Sequence, residues 1–180
     1  MTSARASDLT LDALSALSRD AFTTRLSGIF EHSPWIPERA WAARPFASVD
    51  ALHRAMMDVV SQATDAERLA LISAHPELAG KEAARGTLTE ASTQEQKGAG
   101  LDQCSVDELQ RLRALNAAYR ERFGFPFVIA VKGLSRYDIM AALDERLHNS
   151  RAKECDTSLR EIGKIARIRL DALLSHRQGT

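Results

Sequence analysis

The chain has 180 residues, 44% hydrophobic and 27% charged, and its 24 basic residues are balanced by 24 acidic ones. That length supports one domain with a sizeable core, and the even charge argues against a nucleic-acid binder, which shows a basic excess or stripe. No apolar run is long enough to cross a bilayer, the start MTSARASDLTLDAL lacks the apolar centre of a signal peptide, and the end SHRQGT does not match the peroxisomal tripeptide SKL; with only Cys104 and Cys155 and no partner motif for either, a disulfide scaffold is not expected and the cytoplasm is the expected compartment.

Leu11, Leu14 and Leu17 predict a short helix, and Phe22, Leu26, Ile29 and Phe30 follow at helical spacing. The stretch EHSPWIPERAWAARPF is broken by Pro34, Pro37 and Pro45 and must turn repeatedly, with Trp35, Trp41 and Phe46 as core anchors. Ser48 caps a helix whose apolar positions are Leu52, Met56, Val59 and Val60. Thr64 and Glu67 have capping-box spacing for the next helix, which carries Leu69 and Ile72. That helix ends near His75, because Pro76 disfavours a helical conformation in its predecessor. The polar stretch from there to Thr89, with Gly80 and Gly86, reads as a loop, and a helix carrying Ser92, Glu95 and Gln96 follows.

Ser105 and Glu108 form another capping box, ahead of Leu109, Leu112, Leu115 and Tyr119, and Gly124 ends that helix. Phe125–Val131 has strand composition, but no second strand exists elsewhere to pair with it. Ser135 with Asp138 opens a helix holding Ile139, Ala142, Leu143 and Leu147, and a final helix runs from roughly Thr157 to Ser175. No internal repeat, low-complexity segment or linker interrupts the chain. The expected fold is all-α: a compact single-domain helical bundle spanning residues 1–180, of about eight or nine helices, with one short extended segment near 125–131.

Three places carry candidate chemistry. His75 continues the stripe of Ile72 into the last turn of its helix, where the helix dipole favours imidazolium and an apolar pocket opposes it; it reads either as a proton-transfer group or as a buried, hydrogen-bonded histidine. Ser92, Glu95 and Gln96 project from one helix face. Ser92-Thr-Gln-Glu95 is also a capping-box pattern, but Thr89 offers an earlier start that would leave both side chains inside the helix. Arg169 falls on the apolar stripe of the last helix, with Arg167 turned away, and a guanidinium there needs an internal carboxylate or a bound anion. The backbone of Phe125–Val131 needs partners too, from a helix end, water or a ligand. His32 fits a support for the proline-rich turn; His53, His148 and His176 have polar neighbours and are expected to face solvent. Neither HExxH, a CxxC pair nor a P-loop is present, and nothing adjacent activates Cys104.

These blocks have a family likeness. EHSPW at Glu31–Trp35, RPF at Arg44–Phe46, AHPELAG at Ala74–Gly80, LTEASTQEQKGAGL at Leu88–Leu101, FGFPFVIAVKG at Phe123–Gly133 and EIGKIARIRL at Glu161–Leu170 span nearly the whole chain in order. Together they resemble the OHCU decarboxylase family (2-oxo-4-hydroxy-4-carboxy-5-ureidoimidazoline decarboxylase), which forms (S)-allantoin in urate breakdown. The resemblance implies His75, Glu95 and Arg169 as catalytic residues. It also implies Pro76, Ser92, Gln96 and the segment Phe127, Val128, Ile129, Ala130 and Val131 as substrate contacts, with no metal and no cofactor. It further implies a small ureidoimidazoline substrate, no nucleic-acid or membrane partner, and a homodimer. The alternatives are a non-catalytic helical module that binds a partner protein, and a metal-dependent hydrolase using His75, Glu95 and another histidine.

Overall fold

The computed structural model describes residues 9–175. All regular structure among them is helical: ten α-helices and two 3₁₀ turns, with no strand. The helices are α1 (Leu11–Ser15), α2 (Arg19–Arg25), α3 (Trp35–Ala40), α4 (Val49–Gln62), α5 (Asp65–Ser73), α6 (Lys81–Arg85), α7 (Glu90–Gly98), α8 (Val106–Phe123), α9 (Arg136–Arg146) and α10 (Arg151–Ser175).

Most of the helix starts are set by hydroxyl side chains. Ser48, Thr64, Thr89, Ser105 and Ser135 each accept a hydrogen bond from the backbone three residues on, capping α4, α5, α7, α8 and α9. Thr64–Glu67, Ser105–Glu108 and Ser135–Asp138 complete reciprocal capping boxes. Gly124 closes α8 in the left-handed conformation, φ 81°, which a side chain resists.

Two boundaries differ from expectation. α6 lies inside the stretch read as a loop; it buries no residue, so it has no apolar stripe to betray it. α10 begins at Arg151 rather than near Thr157, with Ser150 Oγ accepting from the Lys153 N–H at 3.2 Å. Its added turns bury Glu154, a polar group on a core-facing side that apolar spacing does not reveal.

The described residues fall into two compact units, one of residues up to Ala63 together with Ala166 onward, the other Thr64–Ile165. In the first, α3 packs on α2 and α4. Its core holds Leu14, Phe22, Leu26, Ile36, Leu52 and Met56, all without solvent exposure. Phe46 is buried as expected, but Trp35 and Trp41 are only half-buried. The Trp41 indole N–H donates to the Leu17 carbonyl at 3.0 Å while Arg44 lies 3.4 Å from its ring centre, so its polar edge and π-face are used at the surface.

In the second unit, α8 packs on α9. Tyr119 of α8 sits among Phe123, Phe125 and Phe127, with ring centres 4.6, 6.1 and 5.3 Å away. Near the N-termini of these helices, Glu108 accepts hydrogen bonds from Tyr137 (2.5 Å), the Ser105 N–H (2.8 Å) and Arg136 (2.9 Å). The Tyr137 bond most of all, then the Ser105 N–H, draw its carboxyl down from 4.5 to about 2. A depressed carboxyl stabilises the fold above its unfolded pKa and loses that stabilisation as pH falls through its folded one. Glu108→Gln is therefore expected to lower stability at neutral pH and to flatten its decline between about pH 4.5 and 2. Thermal melts across that range check this; parallel acid limbs in parent and variant would refute it.

Candidate active site

α5 stops where Pro76 requires, and His75 is left just beyond its end with 7% of its surface exposed. Its Nδ1 lies 3.0 Å from the Leu71 carbonyl. A carbonyl can only accept, so Nδ1 carries the hydrogen and the neutral ring keeps its basic lone pair on Nε2. The helix end thus fixes both tautomer and ring direction, which is what a proton-transfer histidine needs.

The segment after His75 is held by side chains of α7 and α8. The Leu78 carbonyl accepts from Asn116 Nδ2 at 3.0 Å, and the N–H of the same peptide, from Ala79, donates to Gln96 Oε1 at 2.9 Å. Ala79 has φ 51°, a left-handed conformation that costs a residue with a Cβ. Glu77 accepts from Arg120 of α8 at 2.7 Å. Gly80 allows no side chain: a Cβ there would stand 2.7 Å from the Glu77 Cβ and 3.1 Å from its carbonyl oxygen.

On α7, Thr89 is the N-cap and its hydroxyl accepts from the Ser92 N–H at 3.3 Å. Ser92 and Glu95 are therefore inside the helix, and the capping-box role that their spacing allows is taken by Thr89. Ser92 and Gln96 are buried and Glu95 is half-buried. Gln96 spends its oxygen on Ala79, while its Nε2 is buried without a hydrogen-bond partner among the described residues. A buried donor in that state costs roughly 1–3 kcal/mol, which an acceptor on a ligand would relieve.

Phe127, Val128 and Val131 are buried, Ile129 and Ala130 half-buried, and residues 126–131 run without helix, strand or turn. Some of their backbone needs are met by the protein: Arg146 Nη1 donates to the Val128 carbonyl at 2.8 Å, and the Ala130 N–H donates to Glu161 at 2.9 Å. The Phe127 ring belongs to the core, packed on Tyr119 and under Arg146, whose guanidinium carbon is 4.5 Å from the ring centre. Arg146 is held in turn by the fully buried Glu154, which also accepts from Tyr119 and from Asn149 at 2.7 Å. Burial pushes the Glu154 carboxyl upward, but the bonds from Arg146, Tyr119 and Asn149 outweigh it and leave the group below its ordinary value. Burial and the Glu154 bond raise the Tyr119 hydroxyl, so it stays a donor.

In the other unit, Arg169 is 8% exposed. Its Nη1 donates to Glu31 at 2.9 Å and to the Gly28 carbonyl at 3.2 Å. Glu31 supplies the internal carboxylate that a guanidinium on this stripe calls for. His32 is exposed with φ 46°, His148 is exposed and His53 is half-buried rather than solvent-facing; His176 lies outside the described residues. Burial pushes both thiols up, Cys104 and Cys155, away from nucleophilic reactivity. Among the described residues, no group of three His, Cys, Asp or Glu side chains is arranged to hold a metal ion, and no helix is long and apolar enough to cross a membrane.

The structure thus ties the segment after His75 to α7 through Gln96. It fixes 127–131 through Arg146 and Glu161, and it places Arg169 with Glu31. Sequence reasoning did not single out Asn116, Arg146, Glu154, Glu161 or Glu31. A signal existed for two of them: Asn116 lies four after Leu112, and Arg146 three after Leu143, both polar residues on an apolar stripe.

The sequence pattern of OHCU decarboxylase matches residues 15–171, running through both units. A 2-oxo-4-hydroxy-4-carboxy-5-ureidoimidazoline decarboxylase of Halalkalicoccus jeotgali is 38% identical over 172 residues, covering 96% of each chain. One of Haloferax volcanii is 43% identical over 163 residues, covering 91% of this chain and 95% of its own. Among solved structures, a crystal structure of (S)-allantoin synthase superposes with a TM-score of 0.71 at 28% identity, over 92% of this chain and 54% of that one.

Proposed function

The chain belongs to the OHCU decarboxylase family, and from that premise we propose that it decarboxylates 2-oxo-4-hydroxy-4-carboxy-5-ureidoimidazoline to (S)-allantoin and carbon dioxide, in the breakdown of urate. The observation that supports the reading at the level of chemistry is the 3.0 Å hydrogen bond between His75 Nδ1 and the Leu71 carbonyl, from which the reading takes Nε2 as the nitrogen that takes up and returns a proton.

Decarboxylation needs a place for the electrons of the breaking C–C bond. The substrate supplies one, because the carbon bearing hydroxyl and carboxylate stands beside an imine-type carbon. Loss of carbon dioxide sends the electron pair into that group, and a proton must then reach carbon on one face. The protein has to position, desolvate and protonate. His75 and Glu95 share the substrate hydroxyl and the proton returned to the intermediate. Gln96 offers Nε2, the buried donor, to a carbonyl of the ring or ureido group, and Ser92 and the backbone of Phe127–Val131 grip the same parts. Pro76 packs on the ring. Arg169 is assigned the substrate carboxylate on the family pattern.

The test is a circular-dichroism assay on substrate generated in situ. Uncatalysed protonation comes from solvent on both faces and gives a racemate, so optical activity belongs to the enzyme. The expected result is (S)-allantoin in excess; product without optical activity at enzyme concentrations equal to substrate would end the reading. The same reading has the protein as a cytoplasmic homodimer, which light scattering of the purified chain checks for the oligomer.

A further inference from the structure

We propose that Asn116 is a positioning residue of this enzyme: it holds the Leu78 carbonyl while Gln96 holds the Ala79 N–H, and the shared peptide fixes the segment after His75 against α7. The inference rests on the catalytic reading above and adds to it a residue that touches neither substrate nor reacting atoms.

One peptide group has two polar ends. Its C=O and N–H point in opposite directions, so partners on both sides leave it no freedom to rotate. Here the partners are the side chains of two helices, at 3.0 and 2.9 Å. The α7 partner, Gln96, is next to Glu95 and four after Ser92. The other stands on α8, which grips the same segment one turn further on through Arg120 and Glu77 at 2.7 Å. The segment itself would not rest there unaided. Ala79 is left-handed at φ 51°, and the turn before Gly80 is closed so tightly that a Cβ does not fit. His75 is three residues upstream of the clamped peptide, so releasing the clamp loosens the chain on one side of the histidine.

A purely stabilising part does not fit Asn116. It is 4% exposed and its Oδ1 is buried without a hydrogen-bond partner among the described residues. An apolar side chain of similar size would leave the Leu78 carbonyl without this donor and would also remove the orphan Oδ1, so one buried acceptor without a donor replaces another and the two effects are of opposite sign and similar size. What only an amide supplies at this point is a neutral donor aimed at the Leu78 carbonyl.

Three variants test it. Asn116→Leu is expected to melt within a few degrees of the parent yet lose kcat by on the order of 10- to 100-fold, the scale of a small misplacement at a reacting group, with KM changed less than about threefold. Asn116→Ala should show the same split. Asn116→Asp adds a pH signature: its protonated carboxyl donates to Leu78 and its carboxylate cannot. Its activity relative to the parent should therefore recover as pH falls, while the Asn116→Leu ratio stays flat. Should Asn116→Leu not fold, the Asp variant and the Ala variant carry the test. An independent readout is the ¹⁵N spectrum of the His75 ring, which should show one Nδ1–H tautomer in the parent and broadened or shifted signals in Asn116→Leu. Wild-type kcat in the Leu and Ala variants, a loss that merely follows melting temperature, or a flat Asp ratio would overturn the proposal. If the parent makes no optically active product, the decarboxylase reading falls. The ring spectrum then decides the clamp by itself, unchanged signals in Asn116→Leu overturning it.

Discussion

His75→Asn is expected to lower kcat for (S)-allantoin formation by about 100- to 10 000-fold, the range that a positioned general acid or base contributes, while leaving the fold nearly as stable as before. The two expectations separate because the imidazole does two jobs with two nitrogens. Nδ1–H satisfies the Leu71 carbonyl at 3.0 Å. The amide nitrogen of asparagine occupies nearly the same place and can make the same bond, so the carbonyl keeps a donor and α5 keeps its end. Nothing in asparagine replaces Nε2. His75→Gln does the reverse, reaching toward the Nε2 position with a group that does not titrate near neutrality. Both variants should leave residual turnover from binding and desolvation, and any optical activity in that product would come from the remaining proton carrier. Glu95→Gln, measured beside them, divides the work: loss of rate with retained handedness assigns Glu95 to the hydroxyl, and loss of handedness assigns it to the proton returned to carbon. Unchanged kcat in His75→Asn would remove the histidine from the scheme.

The capping hydroxyls show what a single sequence discloses well. A serine or threonine at the start of a helix acts on a backbone three residues away, so its effect is local and its spacing is visible. That is why Thr89, rather than Ser92, could be proposed as the cap of α7 and is found there. The class of fold was visible for the same reason, through helical spacing of apolar residues. Elements whose inward side is polar were not. α6 buries nothing, and the first turns of α10 bury Glu154 and Ser158, where apolar spacing gives no signal.

The candidate site divides along the same line. His75, Gln96 and Arg169 could be named from their own surroundings in the sequence, but the residues that brace the site from a distance could not, because Asn116 lies 38 residues from the Leu78 carbonyl it holds and Glu31 lies 138 from Arg169. The substrate segment is the mixed case. Its extended course was readable in its composition. That Arg146 and Glu161 would take the Val128 carbonyl and the Ala130 N–H was not, since each reaches it from another helix. The groups that ligands and core compete for are settled by tertiary structure, and only the need for a partner is legible beforehand.

The second large effect concerns the pair of Arg169 and Glu31. Replacing Glu31 with leucine is expected to cost about 3–5 kcal/mol of stability, because it takes the carboxylate away from a guanidinium that stays charged inside the protein. The two side chains are 7% and 2% exposed, so water does little to screen the loss. Arg169→Met should also be damaging, since it takes the guanidinium away from the buried carboxylate of Glu31. Made together, Glu31→Leu and Arg169→Met remove both ions, and hydrophobic replacement of a whole buried pair is often neutral or favourable. Urea unfolding of the four proteins gives the coupling as a double-mutant cycle. The double variant also tells what Arg169 is for. As a structural ion pair alone, it would return activity along with stability. As the group that takes the substrate carboxylate, it leaves a folded protein that binds substrate poorly, with KM raised more than about 100-fold, the scale of a lost charge-assisted hydrogen bond to a desolvated anion. The family pattern predicts the second outcome. Restored catalysis in a stable double variant would take Arg169 out of the mechanism and leave Glu31 and Arg169 as a strut.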